Sequence, residues 1–330
     1  MSLFKYVLRR MLYLIPVFFG ITLLVFAIER LAGDPVQLAT ALNPRINEAG
    51  RQAIRHYFGL DQPIHAQYLQ WLSNFLRGDL GNSFRGGSVA DLIAQRVWLT
   101  LEIQLLGLVL SLILAIPIGI LSAKKRYSAL DVTVTTTSLV GASIPIFFLG
   151  IVFILVFGYY LQNPLTGTGL FPAAGANSVV SSQYPYGSAL LDQLWHLTLP
   201  TIVYTLALLA PVVLLVRSSM LEVLRQDYIL AARAGGLSER TVIYKHGLRN
   251  ALIPVVTYIG LYFGGLLAGA PVTETVFNWP GVGAYFVSVT NDLDLPVIQG
   301  IVVLITLMTL VANLLTDIVY AYIDPRIRLE

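Results

Sequence analysis

Six uncharged apolar runs, at residues 11–28, 103–123, 132–161, 197–216, 250–273 and 295–316, commit this chain to a lipid environment. A bilayer core takes roughly 20 apolar residues per helix, and each run is of about that length or longer. Without water to satisfy its peptide groups, a backbone crossing lipid singly must be helical. The expected fold is therefore an all-α polytopic membrane protein with six transmembrane helices. Composition agrees: 56% of the 330 residues are hydrophobic and 12% are charged. Arg9 and Arg10 precede the first run and Ala32-Gly33 follow it, as in a secretory signal. The run exceeds the usual signal core of about 7 to 15 residues, and five more follow, so it reads as a retained helix.

The distribution of charge orients these spans. Lys5, Arg9 and Arg10 precede the first, Lys124, Lys125 and Arg126 follow the second, and Arg326 and Arg328 follow the last. Arg217, Arg225, Arg233, Arg240, Lys245 and Arg249 lie between the fourth and fifth, whereas the loops 162–196 and 276–294 have neither Lys nor Arg. Basic residues concentrate on the cytoplasmic side, which places both termini and the fourth connection there. The seven arginines of segment 29–96 fall outside, as a loop of more than about 60 residues allows.

Residues 1–96 read as a span plus an extracytoplasmic cap, 97–321 as a five-helix core, and 322–330 as a cytoplasmic tail. In the cap, Ile64, Tyr68, Leu72, Phe75 and Leu76 recur at helical spacing, and 48–58 is a second helical candidate. Loop 162–196 reads as irregular. In 274–283, Phe277 and Trp279 suit a membrane interface, and Pro280-Gly281 force a turn, as in a re-entrant half-helix.

Motifs for chemistry are absent. There is no nucleophile elbow, no His-Glu-x-x-His and no phosphate loop, so no catalytic, cofactor or metal site is expected and the chain has no recognisable means of binding ATP. Absence of cysteine removes disulfides and thiolate ligands. His56, His65, His196 and His246 are scattered, and none of the six runs carries Asp, Glu, Lys or Arg, which argues against a self-sufficient ion-coupled transporter. Glu102, Glu274 and Asp317 stand at run boundaries and read as solvated ends. Gly260, Gly264, Gly265 and Gly269 form two Gly-x-x-x-Gly pairs, expected to serve close helix packing or a gate. Pro16, Pro117, Pro145, Pro200, Pro211, Pro254 and Pro271 are expected to kink spans.

The connection at about 218–250 differs from an ordinary loop. Ser219 with Glu222 reads as a capping box, Gly235-Gly236 as a left-handed helix end, and Ser238 as the cap of a second helix. Bundle connections usually take 2–8 residues, and this one is far longer. Ala231, Ala232 and Ala234 give it a face with little bulk, suited to a docking partner.

That hairpin resembles the EAA motif of type I ATP-binding-cassette importer permeases. Leu230-Ala231-Ala232 occupies the first triplet and Gly236 the glycine, with His246 and Leu248-Arg249 where the pattern has Ile and Leu-Pro. The departures, together with Arg233-Ala234, Leu237 and His246-x-Leu248-Arg249-Asn250-Ala251, resemble the peptide branch of the family. Leu8-Arg9-Arg10, Gly33-Asp34-Pro35, 58–63, Gln67-Tyr68, Gly78-Asp79-Leu80-Gly81, 217–224, 274–281, 296–300 and 324–328 are similar to the first permease of dipeptide, oligopeptide and nickel importers.

The resemblance implies the type I permease fold in a prokaryotic cell (inner) membrane, with lipid around it and no nucleic acid partner. It implies a second homologous permease, two cytoplasmic ATPases that carry ATP and Mg, and an extracytoplasmic peptide-binding protein. Residues 230–237 (Leu230, Ala231, Ala232, Arg233, Ala234, Gly235, Gly236, Leu237) would couple to an ATPase, whose closure would switch the helices from inward-open to outward-open. Nickel chelates, glutathione-like compounds and oligosaccharides are alternative cargoes in this family. A stand-alone channel, a secondary transporter or an intramembrane protease using His196 are readings from other classes.

Overall fold

The structure is a computed structural model, which describes residues 3–42, 45–57, 59–164, 167–178 and 188–323. In chain order its helices are α1 (Leu3–Ala32), α2 (Pro35–Leu42), α3 (Glu48–Tyr57), α4 (Ile64–Leu76), α5 (Val89–Lys124), α6 (Ala129–Ser143), α7 (Ile146–Phe153) and α8 (Ala189–Val223). There follow α9 (Asp227–Ala234), α10 (Glu239–Thr241), α11 (Leu248–Ala251), α12 (Ile253–Gly265), α13 (Pro271–Val276), α14 (Val282–Asn291) and α15 (Leu295–Ile323). A π-helical turn, Ile154–Tyr160, prolongs α7, and another, Val242–Gly247, joins α10 to α11. Among the described residues the strand-like pairings are two isolated bridges, Asn82 with Ser88 and Gln162 with Gly169.

Among the described residues four helices are long and apolar enough to cross a bilayer: Val7–Leu31, Val89–Lys124, Ala189–Val223 and Leu295–Ile318. The expected span 132–161 is instead a bent pair. α6 and the stretch Ile146–Tyr160 meet at 96°. Proline disfavours the α conformation at the residue before it, and Ile144 is accordingly extended at φ −80° and ψ 122°, with Pro145 as the N-cap of α7. The expected span 250–273 is also broken. α12 has 13 residues, about 20 Å at 1.5 Å per residue, short of a roughly 30 Å hydrocarbon core. It ends in the 3₁₀ turn Leu266–Ala268 and then Gly269 at φ 80°. Pro16, Pro117, Pro200 and Pro211 sit inside continuous helices, while Pro271 opens α13. Loop 162–196 is shorter than expected because α8 begins at Ala189.

The chain divides into two compact units. The first contains Met1–Thr100, Gly264–Pro271 and Pro280–Glu330. Here α1 packs along α15, and an ion pair between Arg10 and Asp317 joins them. Asp317 is therefore a partnered residue and not a free end group. Helix α4 lies on α1 through part of its expected apolar face: Tyr68 OH is 3.0 Å from Thr22 Oγ1, and the Tyr68 and Phe75 rings meet Phe26 and Phe18 at 5.5 and 5.8 Å, while Ile64 and Leu76 are exposed. Trp71 stacks between Tyr68 and Phe75 on the same face. α3 ends at Tyr57, close to the 48–58 expectation, and α2 was not foreseen. A small core of Val89, Ile93, Val282, Val289, Val297 and Ile301 holds α14 and α15 to the start of α5. Buried Asp294 accepts from Ser83 Oγ at 2.5 Å and Phe84 N–H at 3.1 Å, fixing the loop after α4 to the turn before α15.

The second unit contains Leu101–Phe263 and Val272–Trp279. Its main core takes Ala115, Ile120 and Ala123 from α5, Val212, Val216 and Met220 from α8, and Ile243, Ala251 and Val255 from the segment that follows. Two glycines let α5 approach α8. A Cβ on Gly107 would stand 2.6 Å from Tyr204 Cδ1, and one on Gly119 2.7 Å from Val216 Cβ. A second cluster packs Leu199 and Val203 of α8 against Phe277, with Ile146, Phe153 and Phe157 around them. Phe277 and Trp279, 1% and 0% exposed, are thus core residues and not interfacial ones. Glu274 is likewise fully buried, contrary to its reading as a solvated end. Glu102 accepts from Gln193 Nε2 at 3.0 and 2.9 Å.

Candidate functional site: the hairpin between α8 and α12

The expected hairpin exists, but it is rooted differently at its first end. α8 runs without interruption to Val223, so Ser219 is a buried interior residue and caps nothing. The chain then turns through Gln226, extended at φ −73° and ψ 148°, and α9 begins at Asp227. An acidic residue in the first turn suits the helix dipole.

The tip is a Schellman closure. Gly236 N–H donates to Arg233 O at 3.0 Å and Leu237 N–H to Ala232 O at 3.3 Å, which satisfies carbonyls left open at the helix end. Gly236 has φ 79°, where L side chains are strained, while Gly235 has φ −74°. One left-handed glycine suffices, and Gly235 is an ordinary C-cap. Ser238 caps the return helix: its Oγ accepts from Thr241 N–H at 3.3 Å. Across the tip Arg233 donates to both Glu239 carboxylate oxygens at 3.2 and 2.9 Å. Further back, Asn250 Nδ2 donates to Tyr228 OH at 2.7 Å, tying the first helix to the end of the second.

What faces inward is apolar, and what faces outward mixes small and apolar side chains with the charged Asp227, Arg233, Glu239, Arg240, Lys245 and Arg249. Ile229 and Val242 are fully buried and Ile243 nearly so. The π-helical turn supplies the last two and lets Gly247 sit where a Cβ would meet Leu224 and Met220 at 3.5 and 3.8 Å. Outward stand Ala231, Arg233 and Ala234, and with them Leu230, Leu237 and Tyr244, which are 53%, 44% and 52% exposed. Ala232 is half-buried. Leu230, Leu237 and Tyr244 are thus apolar side chains left exposed on a hairpin that has its own caps and core.

The root is locked by a carboxylate. Asp131, at the start of α6, accepts from Arg217 of α8 at 2.6 and 2.9 Å, from Ser122 Oγ of α5 at 2.5 Å and from Tyr127 N–H at 2.9 Å. One buried side chain thereby ties three helices together six residues before α8 ends. Sequence reading missed it because Asp131 borders an apolar run and looks like one more end residue.

The Arg233 guanidinium holds the Glu239 carboxyl below its ordinary value, and Lys124 adds to the effect. A depressed carboxylate contributes stability above its unfolded pKa and loses it as pH falls through the folded one. The side chains are 38% and 50% exposed, so solvent holds the contribution to a few tenths of a kcal/mol, about the usual surface value. The tip amides 233–241 should show unchanged hydrogen-exchange protection, corrected for intrinsic rate, from pH 7 to about 5.5, and faster exchange only below about 4.5. Loss of protection near pH 6 would exclude this pair as the closure.

Of the other glycines, Gly264 approaches α15: a Cβ there would stand 3.4 Å from Thr309 Cγ2, and its carbonyl accepts from Thr309 Oγ1 at 2.7 Å. A Cβ on Gly265 would meet nothing within 4 Å, and Gly269 serves a left-handed turn. Gly260 is half-buried. The four do not form one packing stripe, because the helix carrying the first three ends before the fourth. His196 Nδ1 is 2.9 Å from the Asp192 carbonyl of its own helix, and among the described residues no three His, Asp or Glu side chains gather as a metal site.

Known proteins are similar in sequence to this chain over nearly its whole length. The family described as "binding-protein-dependent transport system inner membrane component" matches residues 115–329, and its N-terminal companion matches residues 3–103. The oligopeptide transport system permease protein AppB of Bacillus subtilis is 41% identical over 325 residues, 98% of each chain. The di/tripeptide transport system permease protein DppB of Pseudomonas aeruginosa is 38% identical, and the dipeptide transport system permease protein DppB of Escherichia coli 39%, each again over 98% of both chains. With a helical membrane fold and matches from end to end, the chain belongs to the binding-protein-dependent transport system inner membrane components, the multi-pass permeases of type I ABC importers.

Proposed function

We propose that this chain is the peptide-conducting permease subunit of an ATP-driven importer, and that the hairpin Asp227–Ala251 is where a cytoplasmic ATPase seats. The observation that carries the reading is the self-capped tip. Leu230, Ala231, Ala234 and Leu237 are kept at the surface by a Schellman turn and an ion pair, while Ile243 and Ala251 of the same hairpin belong to the core of α5 and α8. A push on the tip is therefore delivered to packed spans and not dissipated in a loop.

In this reading both termini and the hairpin are cytoplasmic, in accord with the Lys and Arg distribution, and the bent pair and the α12–α13 segment complete six membrane-embedded segments. A second permease, two ATPases holding ATP and Mg, and an extracytoplasmic peptide-binding protein complete the transporter. ATPase closure draws the hairpins together and opens the permease pair outward to the binding protein's cargo. The peptide cargo rests on the names of the relatives.

Ala231→Trp or Gly236→Pro should lower uptake of a labelled dipeptide or oligopeptide by tenfold or more, since each adds bulk or strain costing at least about 1.4 kcal/mol at a docking surface. The ATPases should be lost on purification while the permease level stays unchanged. ATPases retained at wild-type stoichiometry with both variants would overturn the docking role, and uptake of no peptide by the intact transporter would overturn the cargo.

A further inference from the structure

Within the first unit, the external end of α1, the cap helix α4 and the start of α15 enclose a cavity of about 60 Å³. Four buried polar atoms of its lining have no hydrogen-bond partner from the protein: Glu29 Oε1, Arg30 Nε, Gln67 Oε1 and Gln299 Nε2. Gln67 and Gln299 are only 7% and 8% exposed. Gln67 spends its amide nitrogen on the Gln62 carbonyl at 2.8 Å, which leaves its oxygen over. Arg30 lies with its guanidinium carbon 4.8 Å from the Phe26 ring centre, a cation–π contact that leaves its Nε over. Phe26 and Trp71 supply apolar wall.

Each buried unsatisfied polar group costs about 1–3 kcal/mol, and four around one cavity are too many to leave unanswered in a native protein. The Gln67 oxygen accepts, the Arg30 and Gln299 nitrogens donate, and the Glu29 carboxyl can do either. A bare anion would leave Gln67 unanswered, and a bare cation would leave Arg30 and Gln299 unanswered. We propose that this cavity is a binding site for a small guest, uncharged overall, that both donates and accepts hydrogen bonds. At roughly 10–15 Å³ of such space per water, the volume takes about four to six waters or a single solute of a few heavy atoms. A water cluster and an amino-acid-sized zwitterion or amide share that chemistry. Either would bridge the cap to the ends of both spans, a role independent of the hairpin.

The test uses the whole transporter in nanodiscs. Gln67→Leu and Gln299→Leu should each lower the thermal midpoint by roughly 2–4 °C, the shift for about 1 kcal/mol. The double variant should lose less than the sum of the two, because removing groups on both sides of the guest relieves the remaining mismatch. Glycine or acetamide at millimolar concentration raising the wild-type midpoint, with acetate and methylammonium inert, identifies a solute guest. No such rise, with ordered density bridging at least two of the four atoms at high resolution, identifies water. Density in which the four atoms pair with one another or with other protein groups would overturn the proposal, as would a Gln67→Leu variant as stable as the wild type.

Discussion

Asp131→Ala should cost about 3 kcal/mol or more, because it removes one member of a buried ion pair and leaves the other unanswered. Asp131 is 3% exposed and Arg217 21%, so the guanidinium can reach some water and the loss falls toward the lower end of the usual 3–5 kcal/mol. Ser122 Oγ and Tyr127 N–H lose their acceptor as well. Tyr127 has φ 63°, a left-handed conformation that a bulky residue holds at a cost of about 1–3 kcal/mol. The bond from its N–H to Asp131 is what the turn between α5 and α6 offers in return. Asp131→Asn keeps the size and one acceptor, and should lose less than Asp131→Ala.

The decisive comparison is the double variant Asp131→Ala, Arg217→Met. If the pair acts as a unit, removing both charges should cost no more than removing Asp131 alone, since no buried charge is then stranded. Thermal midpoints of the purified transporter measure all four species of the cycle. A double variant that loses the sum of the single losses would show that the two residues act separately, and the root of the hairpin would need another lock. In cells the same loss should appear as a several-fold drop in permease abundance.

What the sequence revealed was whatever is encoded in runs and caps. The apolar runs located α1, α5, α8 and α15, and the spacing of Ile64, Tyr68, Leu72, Phe75 and Leu76 located α4, of which Tyr68 and Phe75 meet α1 while Ile64 and Leu76 are exposed. Ser238 and Gly236 announced their roles because capping is local chemistry, settled within four residues. Hydropathy was blind to direction. The run 132–161 is uncharged throughout, and only Pro145 with the restriction it imposes on Ile144 distinguishes a straight span from a 96° bend. The run 250–273 hid a glycine at φ 80° in the same way. Long-range pairing was invisible as well. Nothing near Asp131 points to Arg217, 86 residues away, and nothing near Glu274 shows that a carboxylate at the edge of an apolar run lies fully buried.

Glycines make the sharpest case, because motif and geometry disagree about which of them matter. Gly119 belongs to no Gly-x-x-x-Gly pair, having Ala115 and Ala123 at that spacing instead, yet a Cβ there would stand 2.7 Å from both Cβ and Cγ1 of Val216 and 3.0 Å from the carbonyl oxygen of Val213. The first two atoms belong to a stiff branched side chain and the third to the backbone of α8, so none can swing aside. Gly119→Leu should therefore separate α5 from α8 and cost about 3 kcal/mol or more, beyond the typical overpacking penalty. Gly119→Ala meets the same clash but recovers about 1 kcal/mol of helix propensity, and should come out mildly destabilising. Val216→Gly removes two of the three contacts but empties a fully buried core position and puts a glycine inside α8, so it should destabilise by more than Gly119→Ala does. Gly265 lies in a Gly-x-x-x-Gly pair, yet its added carbon would meet nothing within 4 Å, so Gly265→Ala should change stability by no more than about 1 kcal/mol. Thermal midpoints of these four variants in one detergent rank the two accounts. A Gly265 variant more damaging than Gly119→Leu would mean that the motif, and not the distance to α8, marks where these helices need their glycines.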